Sequence, residues 1–393
     1  MELPHCYQGK THVPAPSGKY VVGCTDIITG PDSQNGCLFR MFYPTKLNDI
    51  YENSSRWAKY LPHDKYVEGY ATVGGFKIHF VGKKMISWSF GNAYIPAVED
   101  AEPSDEQLFP VIVFSHGLKA CRTSYSSFCS DISSHGFIVA AIEHRDGSAC
   151  VSYTLEKGPN SQESPAVKWI PYNPVPFETD EMPFRHEQLQ IRTRECTQTL
   201  ELLSKLNEGS EIEHILQPTM DLAKFKGVMD LSSPTIAGHS FGSTTVLRTL
   251  NADKRFKIGL AMDAWMWPLR DEPELAKSVE QPLLFINSEA FQTAANLETM
   301  KRFTVDAEDH TERRVVTLKG SVHYSQNDVP SLLPWYIRRF AYNSIIDPLL
   351  ALQLNHRMTL LYLRKHLGHP AEEEEEFSEL MGQHADVICE GIP

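Results

Sequence analysis

At the centre of the sequence stands Ile236-Ala237-Gly238-His239-Ser240-Phe241-Gly242, in which an apolar run leads into the pattern Gly-x-Ser-x-Gly. The residues that follow, 243–250, favour a helix. A serine between a strand and a helix in this pattern predicts a nucleophile elbow, a sharp turn that exposes the serine Oγ at a helix N-terminus. Gly238 and Gly242 are required because a Cβ at either position would collide with a neighbouring element. The backbone N–H of Phe241 is then free to bind a negatively charged oxygen.

A second turn, earlier in the chain, complements the elbow. Phe109-Pro110-Val111-Ile112-Val113-Phe114 is short, apolar and β-branched, which indicates a buried strand. It ends in Ser115-His116-Gly117-Leu118. In hydrolases with a nucleophile elbow, a His-Gly turn after an early strand supplies the second donor of the oxyanion hole. The sequence therefore predicts that the backbone N–H groups of Leu118 and Phe241 form this hole.

Apolar, β-branched runs alternate with helix-compatible segments through the rest of the chain. Further strands are predicted at 38–44, 136–142, 256–262, 282–287 and 313–318. Strand, helix and strand at this spacing predict right-handed βαβ units and hence a parallel sheet. We therefore predict an α/β-hydrolase fold, a doubly wound and mostly parallel sheet with helices on both faces. We expect residues 1–393 to form a single domain of this kind, with an irregular N-terminal segment at 1–36 and an acidic C-terminal tail at 370–393.

A serine nucleophile needs an imidazole to accept its proton, and the imidazole needs a carboxylate to hold its tautomer. In this fold the chain order is serine, acid and histidine, with each partner just after the C-terminal end of a strand. His323 meets this requirement, because it lies in the loop that follows the last predicted strand. His310 precedes that strand and would lie at the wrong edge of the sheet. Ser240 and His323 are therefore the predicted nucleophile and base.

Two acids compete for the third position. Glu289 follows the second strand after the elbow helix, which is the more usual position in these hydrolases. Asp263 follows the first strand after that helix and is flanked by the bulky apolar run 264–268. Bulky apolar side chains around a carboxylate lower the local dielectric constant and strengthen its hydrogen bond to an imidazole. Position thus favours Glu289 and surroundings favour Asp263, so both acids remain candidates on the residues alone.

Composition and charge exclude several classes of function. A net charge of −13, without clustered Lys and Arg, argues against binding to nucleic acid. His186-Glu187 is similar to the start of a zinc-protease motif, but Gln190 stands where the second histidine is needed, so we expect neither a metal nor another cofactor. The eight cysteines are scattered, and residues 1–6 contain neither the basic region nor the apolar region of a secretory signal. We therefore expect a cytoplasmic enzyme, with peripheral membrane contact, that is secreted only if a signal peptide precedes this sequence.

Six motifs occur in order along the chain: Phe114–Leu118, Glu143–Asp146, Gly238–Gly242, Asp263–Met266, Phe285–Glu289 and Gly320–His323. Together they resemble the platelet-activating factor acetylhydrolases of the plasma and intracellular type II group. The similarity runs from about residue 20 to the segment Leu363–Leu367. The resemblance implies Ser240 as nucleophile, Asp263 as acid and His323 as base. It also implies that the N–H groups of Phe241 and Leu118 form the oxyanion hole.

The resemblance implies a reaction as well. Members of this family are calcium-independent serine esterases of the phospholipase A2 type, which remove acetyl or short, oxidised acyl chains from the sn-2 position of glycerophospholipids. Two residues depart from the family pattern, since Ser243 stands where glycine is usual and Trp267 where phenylalanine is common. Both leave the chemistry intact and are expected to affect the acyl pocket. Trp265, Met266 and Trp267 are the residues expected to line that pocket.

A phospholipid substrate lies in a membrane or a lipoprotein, so the enzyme must reach that interface, and we expect no required protein partner. Candidate docking segments are Gly69–Val81 and the predicted helix Leu349–Leu367, whose apolar residues share one side. Packing of that helix on the sheet is the alternative. A general carboxylesterase or lipase would share the triad but prefer longer acyl chains. A non-catalytic binding protein of this fold is disfavoured, because serine, acid and histidine are all present.

Overall fold

The computed structural model describes residues 6–32, 34–74, 83–84, 86–156, 166–212, 220–305, 312–333, 345–368 and 370–391. The strands are β1 (Cys6–Tyr7), β2 (Lys10–Thr11), β3 (Val22–Ile28), β4 (Leu38–Pro44), β5 (Trp57–Lys59), β6 (Tyr94–Glu99), β7 (Phe109–Ser115), β8 (Ile138–Ile142), β9 (Val151–Glu156), β10 (Ala166–Pro171), β11 (Met229–His239), β12 (Ile258–Met262), β13 (Leu283–Ser288), β14 (Arg313–Leu318) and β15 (Ile388–Glu390). The helices are α1 (Asp64–Val73), α2 (Ser126–Ser134), α3 (Glu181–Glu208), α4 (Phe241–Ala252), α5 (Pro273–Ser278), α6 (Ala294–Thr304), α7 (Val329–Leu332), α8 (Pro348–Leu367) and α9 (Pro370–Gln383). Short 3₁₀ turns lie at Ser54–Arg56, Leu222–Phe225, Trp267–Leu269 and His323–Gln326, and a π turn lies at Ser87–Gly91.

One large sheet organises the described part of the chain. Its eleven strands follow the order β15-β14-β13-β12-β11-β7-β8-β4-β3-β6-β5. The strands from β14 across to β8 run parallel to their neighbours. Antiparallel pairing occurs toward the two edges, where β15 joins β14 and β4 joins β8. The predicted mostly parallel sheet is confirmed, and its parallel centre brings the carboxyl ends of its connected strands to one edge.

The core lies on both faces of this sheet, because successive strand residues point to opposite sides. In β7, Val111 and Val113 belong to the apolar cluster under α3 and α4. Ile112 and Phe114, which alternate with them, belong to the cluster under α2 and α8. All four side chains are buried. The near-continuous apolar sequence of these strands thus follows from burial on both faces.

The N-terminal segment at 1–36 is not irregular throughout, because it contains β3. This strand pairs antiparallel with β4 and lies inside the sheet. Asp26 in its middle is unfavourable for a strand taken alone. In the structure, that carboxylate accepts hydrogen bonds from Arg40 Nε at 2.7 Å and from an Arg122 terminal nitrogen at 2.8 Å. Partners from other parts of the chain therefore make this strand possible, and local sequence could not reveal them.

The acidic segment at 370–393 is also more ordered than predicted. It forms α9 and then β15, which pairs with β14. Phe377, Leu380 and Ile388 are buried, and the Arg314 guanidinium lies 3.7 Å from the centroid of the Phe377 ring. These apolar residues recur on one side of a charged sequence, so the segment packs against α8 instead of remaining a solvated tail.

The two candidate docking segments have different outcomes. In α8, Leu354, Met358 and Leu361 are buried in the core, so the alternative of packing on the sheet is correct for this helix. Residues 69–74 of the segment Gly69–Val81 lie in α1 and the turn after it, whereas residues 75–81 lie outside the described residues. None of the described helices is both long enough and apolar enough to cross a membrane.

Candidate active site

The turn between β11 and α4 consists of Ser240 alone. Its φ of 58° and ψ of −118° are unfavourable for a residue with a side chain. A Cβ at Gly238 would lie 2.5 Å from the backbone of Gly242, and a Cβ at Gly242 would lie 2.0 Å from the carbonyl oxygen of Ser115. Both positions must therefore be glycine. This geometry is the strained elbow that the sequence predicts.

Ser243, one of the two departures from the family pattern, supports the elbow from inside. Its side chain is fully buried. The hydroxyl oxygen lies 2.8 Å from the carbonyl oxygens of both Gly238 and Met262 and donates its proton to this pair. The residue thus ties the first turn of α4 to β11 and β12. It does not line an acyl pocket.

Ser240, His323 and Asp263 form a continuous hydrogen-bonded chain. The Ser240 hydroxyl lies 2.9 Å from His323 Nε2, and His323 Nδ1 lies 2.6 Å from Asp263 Oδ2. The histidine comes from the loop after β14, and the acid directly follows β12. Because β11, β12 and β14 end at the same edge of the sheet, residues far apart in sequence meet there. The structure thus brings together the three residues of the predicted triad.

Asp263 is fully buried, and donors surround its carboxylate. Oδ1 accepts the Ser288 N–H at 3.0 Å and the Gln292 side-chain amide at 2.8 Å, while Oδ2 accepts the Ser288 hydroxyl at 2.5 Å. These bonds satisfy an ionised carboxylate away from water. Sequence reasoning missed Ser288 and Gln292, since nothing in their local pattern links them to an acid found on another strand.

Glu289, the competing acid, lies outside this chain of hydrogen bonds. It is exposed, and its Oε2 accepts the N–H of Gly320 at 2.6 Å. That contact holds the loop that carries His323. Of the two acids left open by the residues alone, only Asp263 contacts the imidazole in the described hydrogen bonds. His310 lies outside the described residues.

Two aromatic rings flank His323. The Phe291 ring stacks on it with centroids 3.8 Å apart, and the His239 ring lies 4.4 Å away. Burial holds the pKa of His239 well below its usual range, and the neighbouring His323 adds to this effect. A neutral His239 can therefore pack against the imidazole without repelling its charged form. The sequence contained a signal for His239, which lies within the Gly-x-Ser-x-Gly pattern, but none for Phe291.

The two predicted oxyanion donors belong to segments that lie next to the nucleophile. Phe241 is the first residue of α4, so its N–H has no acceptor within the helix. The turn that carries Leu118 lies against Ser240, because a Cβ at Gly117 would be 3.2 Å from the Ser240 Cβ. Neither N–H donates to a protein group among the described backbone hydrogen bonds. Both therefore remain available to a substrate oxygen.

The predicted pocket residues separate into two groups. The backbone N–H of Trp265 donates to the Ser240 carbonyl oxygen at 3.2 Å, and the centroid of the Trp265 ring lies 5.4 Å from that of the Phe241 ring. Trp267 stacks on Trp265 with centroids 5.8 Å apart, and both rings are half-buried. Met266 is fully buried in the core beneath α4. Its place in the predicted pocket was wrong, because the side chain between the two tryptophans points into the protein.

Three side chains in this site are also of metal-binding type. The ligand atoms of His239, Asp263 and His323 lie within 4.8 Å of one another. The imidazole of His323 and the carboxylate of Asp263 already share a hydrogen bond. A metal ion at this position would have to displace that proton, so it would compete with the triad.

Asp328 joins the His323 loop to the start of α2 and is expected to make the free energy of unfolding depend on pH. Its carboxylate is fully buried and accepts the N–H and the hydroxyl of Ser127. Burial raises the pKa of this carboxyl from 3.8 to about 7. The folded protein then binds a proton that the unfolded chain has lost between these pH values. The free energy of unfolding must therefore fall as the pH rises through this window.

We expect Asp328→Asn to remove most of this pH dependence, which amounts to at most about 4 kcal/mol. Urea unfolding at about pH 4.5 and about pH 8 would measure it in both proteins. Burial also raises the pKa of Glu195, to about 8, so only the difference between wild type and variant isolates Asp328. The exposed Asp271→Asn serves as the matched control. An unchanged pH dependence in Asp328→Asn would contradict the assignment.

Comparison with known proteins decides the family. The sequence model of the family described as platelet-activating factor acetylhydrolase, isoform II, matches residues 5–385. The chain belongs to this family. The resemblance inferred from six motifs is therefore confirmed over nearly the whole chain.

Individual members of the platelet-activating factor acetylhydrolase family agree with this result. The platelet-activating factor acetylhydrolase of Cavia porcellus is 35% identical over 383 residues, which cover 97% of this chain and 84% of the relative. That of Gallus gallus is 36% identical over 363 residues, which cover 91% of this chain and 84% of the relative.

Two further proteins are more distantly similar. A putative phospholipase A2 of Schizosaccharomyces pombe is 28% identical over 306 residues, which cover 67% of this chain and 69% of the relative. Among solved structures, a ferulic acid esterase from Streptomyces cinnamoneus has a TM-score of 0.60 at 16% identity, covering 88% of this chain and 90% of its own, which supports the fold.

Proposed function

We propose that this chain is a calcium-independent serine esterase of the phospholipase A2 type. It hydrolyses the sn-2 acetyl or short acyl ester of platelet-activating factor and related glycerophospholipids to a lysophospholipid and a carboxylate. The observation that carries the proposal is the hydrogen-bonded chain from Ser240 through His323 to Asp263. The substrate class rests on the family, whose members at 35% and 36% identity are named platelet-activating factor acetylhydrolases.

Acylation begins at the Ser240 hydroxyl. As Oγ attacks the sn-2 carbonyl carbon, His323 Nε2 accepts the hydroxyl proton across a bond of 2.9 Å. The imidazolium that forms is stabilised by the buried Asp263 carboxylate, 2.6 Å from Nδ1. The C–O bond to glycerol then breaks, and His323 returns the proton to the departing oxygen of the lysophospholipid.

Deacylation repeats these steps with water. His323 removes a proton from a water molecule, whose oxygen attacks the acyl carbon. The bond to Ser240 breaks, its oxygen regains the proton, and the product leaves as a carboxylic acid that loses its remaining proton to water. In both halves the negative charge on the former carbonyl oxygen is held by the N–H groups of Leu118 and Phe241. Nucleophile, base and oxyanion donors are all protein groups, which is why we expect activity with calcium chelated.

The rim of the site supports contact with a lipid surface. Tyr324 follows His323 directly and is 52% exposed, and Ile345 is 91% exposed. The N–H of Ile345 donates to the Gly320 carbonyl oxygen at 2.8 Å, which keeps this side chain on the His323 loop. We propose that these apolar groups enter a membrane or lipoprotein surface and bring the triad to the substrate. A net charge of −13 favours docking by apolar contact over attraction to anionic lipid.

A cytoplasmic location with peripheral membrane contact remains part of this proposal. All eight cysteines have free thiols, as is usual in a reducing compartment.

The function is tested by comparing two phosphatidylcholines, one with an sn-2 acetyl group and one with a long sn-2 chain. Both are presented in vesicles with calcium chelated, and a water-soluble acetyl ester is measured in parallel. We expect acetyl release at least about tenfold faster than long-chain release. Equal release of the long chain would instead identify a general carboxylesterase or lipase. Release from neither phospholipid would contradict the phospholipase proposal, and a failure to hydrolyse the water-soluble ester as well would contradict esterase function.

A further inference from the structure

We propose that Arg192 is a positioning residue that orients both backbone donors of the oxyanion hole. This inference rests on the esterase function proposed above and extends it to a residue outside the triad. Arg192 lies in the middle of α3, and its side chain is fully buried. A buried guanidinium is costly unless its donors are satisfied, so its partners indicate what it does.

The first contact reaches the turn that carries Leu118. A terminal nitrogen of Arg192 donates to the His116 carbonyl oxygen at 2.7 Å. The same peptide unit is held at its other end, because the Gly117 N–H donates to the Tyr125 hydroxyl at 3.2 Å. With both polar groups bonded, the plane of this peptide is fixed. The next peptide along the chain carries the Leu118 N–H, and it is held at its carbonyl end, because the Gly117 oxygen lies 2.7 Å from His116 Nδ1.

The second contact reaches the other donor. The Arg192 guanidinium carbon lies 4.5 Å from the centroid of the Phe241 ring, a distance typical of a cation–π contact. Phe241 is itself fully buried, and its N–H is the second donor of the hole. One guanidinium therefore contacts both the loop and the helix start that must keep a fixed separation around the oxyanion.

The guanidinium is held in place by the loop after β8. Its Nε donates to Asp146 Oδ2 at 2.9 Å, and a terminal nitrogen donates to the Ser148 hydroxyl at 2.6 Å. The side chains of Arg192 and Asp146 are both fully buried, so the carboxylate balances the charge. The Ser148 N–H also donates to Asp146 at 2.9 Å. This arrangement gives a role to the motif Glu143–Asp146, which the triad itself does not use.

A lysine at this position separates positioning from charge. The substituted side chain would keep the positive charge, but an ammonium group cannot reproduce the planar fork that reaches Asp146, Ser148 and the His116 carbonyl together. We expect Arg192→Lys to lower kcat for p-nitrophenyl acetate by about tenfold to a hundredfold with KM nearly unchanged. Affinity for a trifluoromethyl ketone, whose adduct places an oxyanion in the hole, should fall by a similar factor.

The controls separate this role from simple structural support. Arg314→Lys makes the same chemical change at a guanidinium that packs on Phe377 and pairs with Glu374, and its kcat should change less than about twofold. Ser148→Ala removes one anchor of Arg192 and few atoms, so it provides a second folded variant if Arg192→Lys does not fold. We expect it to show a smaller loss of kcat with the same unchanged KM.

The proposal would be overturned if kcat per folded molecule and ketone affinity stayed at wild-type values in Arg192→Lys while only thermal stability fell. An equal loss in Arg314→Lys would overturn it as well. If Arg192→Lys is unfolded, a Ser148→Ala enzyme with wild-type kcat and ketone affinity would have the same meaning. Because p-nitrophenyl acetate reports any serine esterase, failure of the phospholipid assay would leave this test intact, and the two proposals fail separately.

Discussion

Ser240→Ala is expected to lower kcat for acetyl ester hydrolysis by about a millionfold, to a rate about 10³ to 10⁴ above the uncatalysed reaction. The reason is that Oγ is the atom that forms the acyl bond, and no other described hydroxyl lies within hydrogen-bond distance of His323 Nε2. The residual rate would come from the oxyanion donors and from substrate binding alone. The fold should be retained, because the elbow strain resides in the backbone and alanine lacks only the hydroxyl.

The measurement is steady-state turnover together with labelling by a fluorophosphonate, which reacts with an activated serine. Ser204→Ala is the matched control, since its hydroxyl lies on the surface of α3 and contacts Glu208 at 3.4 Å. We expect the label on wild type and on the control, and none on Ser240→Ala. Turnover or labelling at the wild-type level in Ser240→Ala would show that another residue is the nucleophile.

Asp263→Asn is expected to lower kcat by about 10⁴ while leaving the geometry in place. The donors around the carboxylate decide how the amide sits. The Ser288 N–H and the Gln292 amide point at one oxygen position, so the asparagine oxygen takes that place and its NH₂ group faces His323. The imidazole must then accept at Nδ1 and carry its proton on Nε2. That is the nitrogen which has to accept the Ser240 proton.

Glu289→Gln provides the comparison, because it removes the charge of the competing acid and keeps an oxygen that can accept the Gly320 N–H. We expect its kcat to remain within about threefold of wild type. Rates for both variants should be measured over a range of pH, since a tautomer effect persists at every pH. A larger loss in Glu289→Gln than in Asp263→Asn would assign the acid to Glu289.

Those features that depend on a few neighbouring residues were predictable. The elbow follows from backbone sterics at Gly238 and Gly242, which act over a short stretch of chain. The strands β7, β8 and β13 follow from apolar runs that are buried on both faces. The order of serine, acid and histidine then follows from the requirement that each lie after the end of a parallel strand.

The remaining features depend on contacts between distant parts of the chain. The residues alone left Asp263 and Glu289 open and the family resemblance implied Asp263, but the contacts of its carboxylate depend on the positions of Ser288 and His323 in space. Likewise, Asp26 is accommodated within β3 because Arg40 and Arg122 form ion pairs with it.

The sequence by itself determined the parallel sheet, the elbow and the set of residues from which a triad could be built. The reason is that the spacing of apolar residues, the small size of glycine and the β-branching of side chains act over short stretches of chain. Tertiary structure decided between the two acids that the residues alone left open, in agreement with the family resemblance. It alone showed that Met266 belongs to the core, and that the segment at 370–391 forms α9 and adds β15 to the sheet. It also placed Arg192 against the His116 carbonyl, 76 residues away in sequence. The physical reason is that burial and hydrogen-bond partners are properties of the packed chain, and each is set by residues that no local window contains.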